Sequence, residues 1–184
     1  MILCSQNEHK RIELERALAG WTIEALDVSS YPEETGETFH ENARAKALFG
    51  REVGPGDAWM LGEDSGLEVE ALGAAPGVET ARWARGHHVD RILTALDGVE
   101  NRRARYVCEV VAISPDGREL RATGILEGRI THEPRGSGGF GFDPVFVPAG
   151  EERTVAELGD DWKAEHSHRG RAAHALRAEL VGFI

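Results

Sequence analysis

Residues 59–77 read WMLGEDSGLEVEALGAAPG, and the fold turns on how this stretch is parsed. An apolar run, Trp59 to Leu61, leads into two adjacent carboxylates, Glu63 and Asp64, and then into Ser65-Gly66. Beyond them Leu67, Val69 and Ala71 alternate with Glu68 and Glu70, the period of a strand. The stretch therefore reads as strand, acidic turn, strand. Taken alone, Asp64-Ser65-Gly66 is first of all a set of turn formers. The chemical alternative is that carboxylates at the end of a buried strand face a crevice on a rigid scaffold. A metal or a water-activating base is useful there.

Upstream, Gly54-Pro55-Gly56 breaks the chain after a helix expected over 39–49. Thr38-Phe39-His40-Glu41 is a capping box that opens this helix. Phe39, Ala43 and Ala47 form its apolar stripe, and Asn42 and Lys46, four apart, share another face. Glu41 closes its own helix start, which leaves Glu33 and Glu34 of the acidic run as candidates for chemistry. Residues 21–28 and 2–5 read as strands. Between them Ser5-Gln6-Asn7-Glu8-His9-Lys10 is a polar turn opening a helix over 8–19, with Leu14 and Leu18 on one face. Such a turn leaves unpaired N–H groups that suit phosphate. Ser5, Asn7 and Lys10 could add a hydroxyl, an amide and a cation. A plain cap with a surface lysine is the simpler reading of the same residues.

Downstream, a short helix is expected near 90–96. Residues 103–113 form the strongest strand, with Tyr106, Cys108, Val110 and Ala112 on one face and Val107, Val111 and Ile113 on the other. Apolar residues on both faces put it at the centre of a sheet. Pro115-Asp116-Gly117 turns it into an antiparallel partner over 119–126. Residues 135–144, RGSGGFGFDP, are dense enough in glycine to let backbone approach a ligand. They match neither a Walker loop nor a dinucleotide fingerprint. Phe140 and Phe142, flanking Gly141, offer either a stacking surface for a base or core. Thr154 to Glu157 is a second capping box. Residues 163–171, KAEHSHRGR, are the main basic island. Ser167 caps a final helix to 181, with Ala172, Leu176 and Leu180 on its apolar stripe and His168 and Arg169 at its positive end. A charge-dressed surface helix reads the same way. His166 and His168, two apart on a helix, do not converge on one metal ion.

The net charge of −11 argues against general binding to nucleic acid or membrane, but not against a small anionic ligand met by local cations. Cys4 and Cys108 lie in apolar runs and read as buried thiols of a reducing compartment. No apolar run approaches a membrane span and no secretory segment follows Met1, so a cytoplasmic protein is expected.

Four segments in this order carry a family resemblance. They are the turn at 5–10; Glu33-Glu34-Thr35-Gly36-Glu37-Thr38-Phe39 with Asn42-Ala43 and Lys46-Ala47; Asp64-Ser65-Gly66-Leu67 with Ala75-Pro76-Gly77; and Gly138 to Pro144 followed by Ser167-His168-Arg169-Gly170. The chain resembles the inosine triphosphate pyrophosphatase family over nearly its whole length. The resemblance implies an α/β fold, with a long twisted mixed sheet and helices forming two lobes around a cleft, in one domain over 1–184. It also implies a homodimer and Mg²⁺-dependent hydrolysis of ITP, dITP and XTP to the monophosphate and pyrophosphate. Carried over by motif position, Ser5, Gln6, Asn7 and Lys10 form the phosphate turn, and Lys46 is a second phosphate contact. Glu34 is a metal carboxylate, and Asp64 is the metal-linked catalytic acid. Ser65, Phe140, Gly141, Phe142, Asp143, Lys163, His168 and Arg169 occupy substrate-binding positions. Gln6 stands where the family has glycine, Glu63 where aspartate is common, and Phe142 where tyrosine is common.

The implied chemistry is coherent. Mg²⁺ prefers one or two carboxylates with phosphate and water, and Mn²⁺ can substitute. Attack at the α-phosphorus expels pyrophosphate, whose charge Mg²⁺, Lys10 and Lys46 offset. Donors such as Lys163, His168 and Arg169 welcome a 6-oxo purine and oppose adenine's amino group. Two rivals stand beside this reading: a pyrophosphatase for pyrimidine or modified nucleotides, and a nucleotide sensor without catalysis.

Overall fold

The computed structural model describes residues 1–181, so the last three residues of the expected domain span lie outside it. Among the described residues, six strands form one mixed sheet in the order β2-β1-β3-β4-β5-β6. They are β1 (Ile2–Leu3), β2 (Glu24–Ala25), β3 (Met60–Val69), β4 (Arg103–Ile113), β5 (Glu119–Ile130) and β6 (Phe146–Pro148). β1 runs parallel to β2 and β3, and the remaining pairs are antiparallel. The helices are α1 (Glu8–Ala17), α2 (Phe39–Val53), α3 (Thr80–Ala84), α4 (His88–Ala95), α5 (Val155–Leu158), α6 (Asp160–His166) and α7 (His168–Leu180). The fold is the α/β class expected.

The expected turn at Asp64-Ser65-Gly66 is corrected: β3 is unbroken, and these residues pair with Glu109, Cys108 and Val107 of β4. The long, apolar β4 supplies a full ladder of partners, and this overrides the turn preference of three residues. Gly66 serves close packing instead. A Cβ there would lie 2.5 Å from the Gly77 carbonyl oxygen and 2.8 Å from the Phe39 ring. The strand expected over 21–28 contracts to Glu24–Ala25, because its partner β1 is equally short. β5 outruns its expected end, because β6 pairs with Gly128 to Ile130. Both capping boxes and the Ser167 cap form as expected.

Two cores lie along the long strands. Leu61, Cys108, Val110 and Ala112 pack with α1 and α7, while Leu67, Val69, Ala104 and Tyr106 pack with Ile92, Leu96, Phe142 and Phe146. α2 covers the opposite face, where Ala43 and Ala47 meet Val111 and Ile113. Two glycines let helix backbone touch the sheet. A Cβ at Gly62 would lie 1.9 Å from the Ala43 carbonyl oxygen, and one at Gly124 1.9 Å from that of His168. Cys4 and Cys108 are free and buried, with burial pushing the Cys4 thiol up to about 12. No helix among the described residues is long and apolar enough to cross a membrane.

Candidate active site

β1 pairs with β3 only at Met60 and Leu61. Beyond that point β3 outruns its neighbour, and the chain leaves β1 as the turn into α1. A cleft of about 430 Å³ opens at this unpaired edge, where side chains from both faces of β3 meet. It is lined by Ser5, Gln6, Asn7, Lys10, Glu34, Lys46, Asp64, Ser65, Phe140 to Asp143, Lys163, His168 and Arg169. Every residue to which the family resemblance assigns a role therefore reaches one cleft. A wider, more open depression of about 810 Å³ lies at Arg102 and Arg129. Arg102 there donates to the carbonyls of Leu96, Ile130 and Thr131, a structural use of its charge.

Consecutive residues of β3 point to opposite faces, which divides the charges into two groups. Glu63, wholly buried, points toward α1 and α7. It pairs with Lys10 Nζ at 2.7 Å and accepts from Arg169 Nε and Nη2 at 3.1 and 3.0 Å. Burial works against its charge, but Lys10, Arg169 and Lys46 outweigh it and hold the carboxyl well below the usual range. Glu63 is thus committed to two cations.

Asp64 points toward α2. Its Oδ2 accepts from Asn42 Nδ2 at 3.1 Å, and its Oδ1 lies 3.2 Å from Lys46 Nζ. The same ammonium sits 2.5 Å from Glu34 Oε1 and donates to the Glu63 carbonyl at 3.0 Å. Burial outweighs these cations and raises the pKa of Asp64, the direction that improves a general base. Glu33 is exposed, outside this cluster.

At the turn between β1 and α1, Asn7 caps the helix: its Oδ1 accepts from the Lys10 amide at 3.3 Å. Its NH₂ remains for a ligand. Ser5 Oγ accepts from the Asn7 amide at 3.2 Å, which fixes the turn, and Gln6 is exposed at the cleft mouth.

The other end of the cleft is a nest of buried charges. Lys163 Nζ donates to Asp143 Oδ2 at 2.7 Å, and Glu13 bridges Lys163 and Arg169. Arg169 Nη2 also donates to Ser65 Oγ at 2.8 Å. Of the five guanidinium N–H groups of Arg169, four are spent on Glu63, Glu13 and Ser65; of the three on Lys163, two are spent. Each cation has one N–H without a hydrogen-bond partner among the described residues. His168 is buried and stacked on Tyr106 at 4.5 Å and 9°, and its Nδ1 has no hydrogen-bond partner. Burial and then Arg169 hold its pKa well below the ordinary value, so the ring is neutral. Phe140 stacks on His9 at 5.0 Å and carries Lys163 Nζ at 5.0 Å from its centroid. Phe142 is buried, with His88 edge-on at 5.0 Å. It belongs to the core beneath the cleft.

Four contributors escaped the sequence reading. Asn42 was visible on the Lys46 face, but its tie to Asp64 was not. Glu13 stands three residues after Lys10, on the same face of α1, and that spacing is the signal that could have found it. Tyr106 holds Asp143 Oδ1 at 3.3 Å and His168 by stacking, which strand alternation does not reveal. His88 adds an edge to the Phe142 ring.

Comparison with known proteins identifies the family. The sequence model of the Ham1 family matches residues 1–179. A dITP/XTP pyrophosphatase of Gloeobacter violaceus is 46% identical over 96% of this chain and 91% of its own length. One from an Exiguobacterium species is 42% identical over 100% and 98%. The solved structure of the Staphylococcus aureus Ham1 protein, 30% identical, superposes with a TM-score of 0.85 over 100% of this chain and 98% of its own. With its family model matched from end to end of the described helices and strands apart from Leu180, the chain belongs to the Ham1 family.

Proposed function

We propose that this cleft hydrolyses non-standard purine nucleoside triphosphates (ITP, dITP and XTP) to the monophosphate and pyrophosphate, with a bound Mg²⁺. The observation that carries the reading is the buried, neutral His168 with an unpartnered Nδ1, in a cleft also lined by two cations that each have one N–H without a hydrogen-bond partner. Lys163, His168 and Arg169 all line this cleft, and a purine's 6-oxygen would lie at their end of it. Lys163 and Arg169 can only donate, so adenine's 6-amino group would meet donor against donor. Such a buried mismatch costs about 1–3 kcal/mol.

The residues fit a divalent ion of the Mg²⁺ type. Glu34 and Asp64 offer carboxylate oxygens at one ammonium's reach, and among the described residues no three His, Cys, Asp or Glu side chains form a closed cage. Two carboxylates plus phosphate and water suit Mg²⁺, with Mn²⁺ as substitute. When bound, the ion would offset charge on the phosphates and on the leaving pyrophosphate. Lys10, Lys46 and the α1 N-terminus bind the phosphate chain. Asp64 takes the proton of the attacking water, and Asn42 keeps the Asp64 carboxylate oriented. Phe140 and Ser65 line the path of the nucleoside. The family likeness further supports a cytoplasmic homodimer acting on the nucleotide pool.

The test is pyrophosphate release from ITP, XTP, GTP, ATP and dTTP, each with Mg²⁺ and with EDTA. Metal-dependent release from ITP and XTP, far above GTP and ATP, is expected; guanine shares the 6-oxygen, so rejection of GTP rests on its 2-amino group instead. Equal release from every triphosphate would overturn the base-recognition argument. Tight ITP binding with no release would move the protein to the sensor class.

A further inference from the structure

We infer that Lys46 is an internal counter-ion of the Glu34–Asp64 pair, which keeps a free divalent ion out until a nucleotide's phosphates draw the ammonium away. The inference rests on the reading of those two carboxylates as the metal ligands. The Lys46 ammonium faces three oxygens: Glu34 Oε1 at 2.5 Å, Glu63 O at 3.0 Å and Asp64 Oδ1 at 3.2 Å. An ammonium has three N–H donors, so all of them are used. The oxygens that would hold the metal are therefore already bridged by a cation of the chain itself. A divalent ion and an ammonium repel each other, so holding both on one pair of carboxylates is unfavourable.

The surroundings show which part can move. α2 lies directly on β3 at Gly62, so the Lys46 backbone is fixed. The loop bearing Glu34 is tied twice: Gly36 N donates to Asn42 Oδ1 at 2.8 Å, and Arg82 Nη1 donates to the Glu34 carbonyl at 2.7 Å. Asp64 is held through Oδ2 by Asn42. The four-carbon stem of Lys46 is the free element, and cleft phosphates are its alternative partner. Metal and lysine thus compete without nucleotide and cooperate with it. The metal's favoured route in is as a complex with the triphosphate.

The experiment is Mn²⁺ titration of the nucleotide-free protein, followed by the electron paramagnetic resonance of free Mn²⁺. Lys46→Met is expected to tighten Mn²⁺ binding by about tenfold or more. Lys46→Arg, which keeps the charge, should leave it as weak as in the parent. Unchanged or weaker binding in Lys46→Met, with a native circular dichroism spectrum, overturns the inference. Lys46→Gln repeats the test should Lys46→Met fail to fold. Glu34→Gln and Asp64→Asn separate the two levels of argument. If both lose Mn²⁺ while Lys46→Met gains none, only the counter-ion role falls. If both retain parental affinity, the metal assignment falls and this inference with it.

Discussion

Glu63→Gln tests the charge network most directly. The substitution keeps the shape of the side chain and removes a fully buried charge that holds Lys10 at 2.7 Å and Arg169 at 3.0 Å. Breaking a buried pair from one side costs about 3–5 kcal/mol. Arg169 keeps Glu13 and Ser65, and Lys10 is partly open to water, so the loss falls at the lower end, about 3 kcal/mol. For a chain of this size that is a fall in Tm of about 6–12 °C. The pH dependence follows from the depressed pKa of Glu63. Its charge contributes full stability above the unfolded value near 4.5, and that contribution is lost as pH falls through the lower folded value. The gap between parent and variant should therefore stay constant from about pH 7 to pH 5 and close only in stronger acid. Urea unfolding followed by tryptophan fluorescence at several pH values measures it. A variant as stable as the parent at neutral pH, or a gap that already closes above about pH 5, would refute the reasoning.

Asp64→Asn should lower kcat by about 10²–10⁴-fold, the range for a general base. Burial already disfavours the Asp64 charge, so its Tm should be no lower than the parent's; differential scanning calorimetry checks this. Lys10→Ala should mainly raise KM for ITP through lost phosphate binding, and an unaltered KM would argue against that role. Asn42→Ala leaves Asp64 Oδ2 and the Gly36 amide unpaired, at a cost of about 1–3 kcal/mol each. It should lower kcat more than it changes KM for ITP in steady-state assays, because it disorients both carboxylates. Asn42→Asp, unable to donate to Asp64, should be no better.

Much of the fold was legible because its long elements are strongly patterned. β4 was read to its ends because apolar residues fill both faces, and α2 and α7 announced their starts through Thr38 and Ser167. The two-residue strands and the true length of β5 were not legible, because they depend on partners distant in sequence. The same limit applies to the site. Ser5, Lys10, Asp64, His168 and Arg169 carry motifs that local sequence displays. Glu13 and Tyr106 act on residues brought near only by folding: Glu13 reaches across from α1 to α6 and α7.

The error at Asp64-Ser65-Gly66 shows what a stricter reading of alternation would have given. If Leu61, Leu67 and Val69 face a core, then Glu63 and Ser65, which share their parity, face it too. A carboxylate so placed needs a cation, and Lys10 and Arg169 are those cations. Asp64 falls on the other face, bracketed by Gly62 and Gly66. Two glycines flanking one acid imply that another chain segment presses on that face, and α2 does so at Gly62. Alternation along one uninterrupted strand therefore separates two tasks. Glu63 organises the cations proposed to bind phosphate and base, while Asp64 meets Asn42, Lys46 and Glu34 on the side proposed for hydrolysis. The separation is physical: the two carboxylates are neighbours in sequence, yet burial and partners move their pKa values in opposite directions. Substitutions at 63 should accordingly register first in stability and substrate binding, and substitutions at 64 first in turnover.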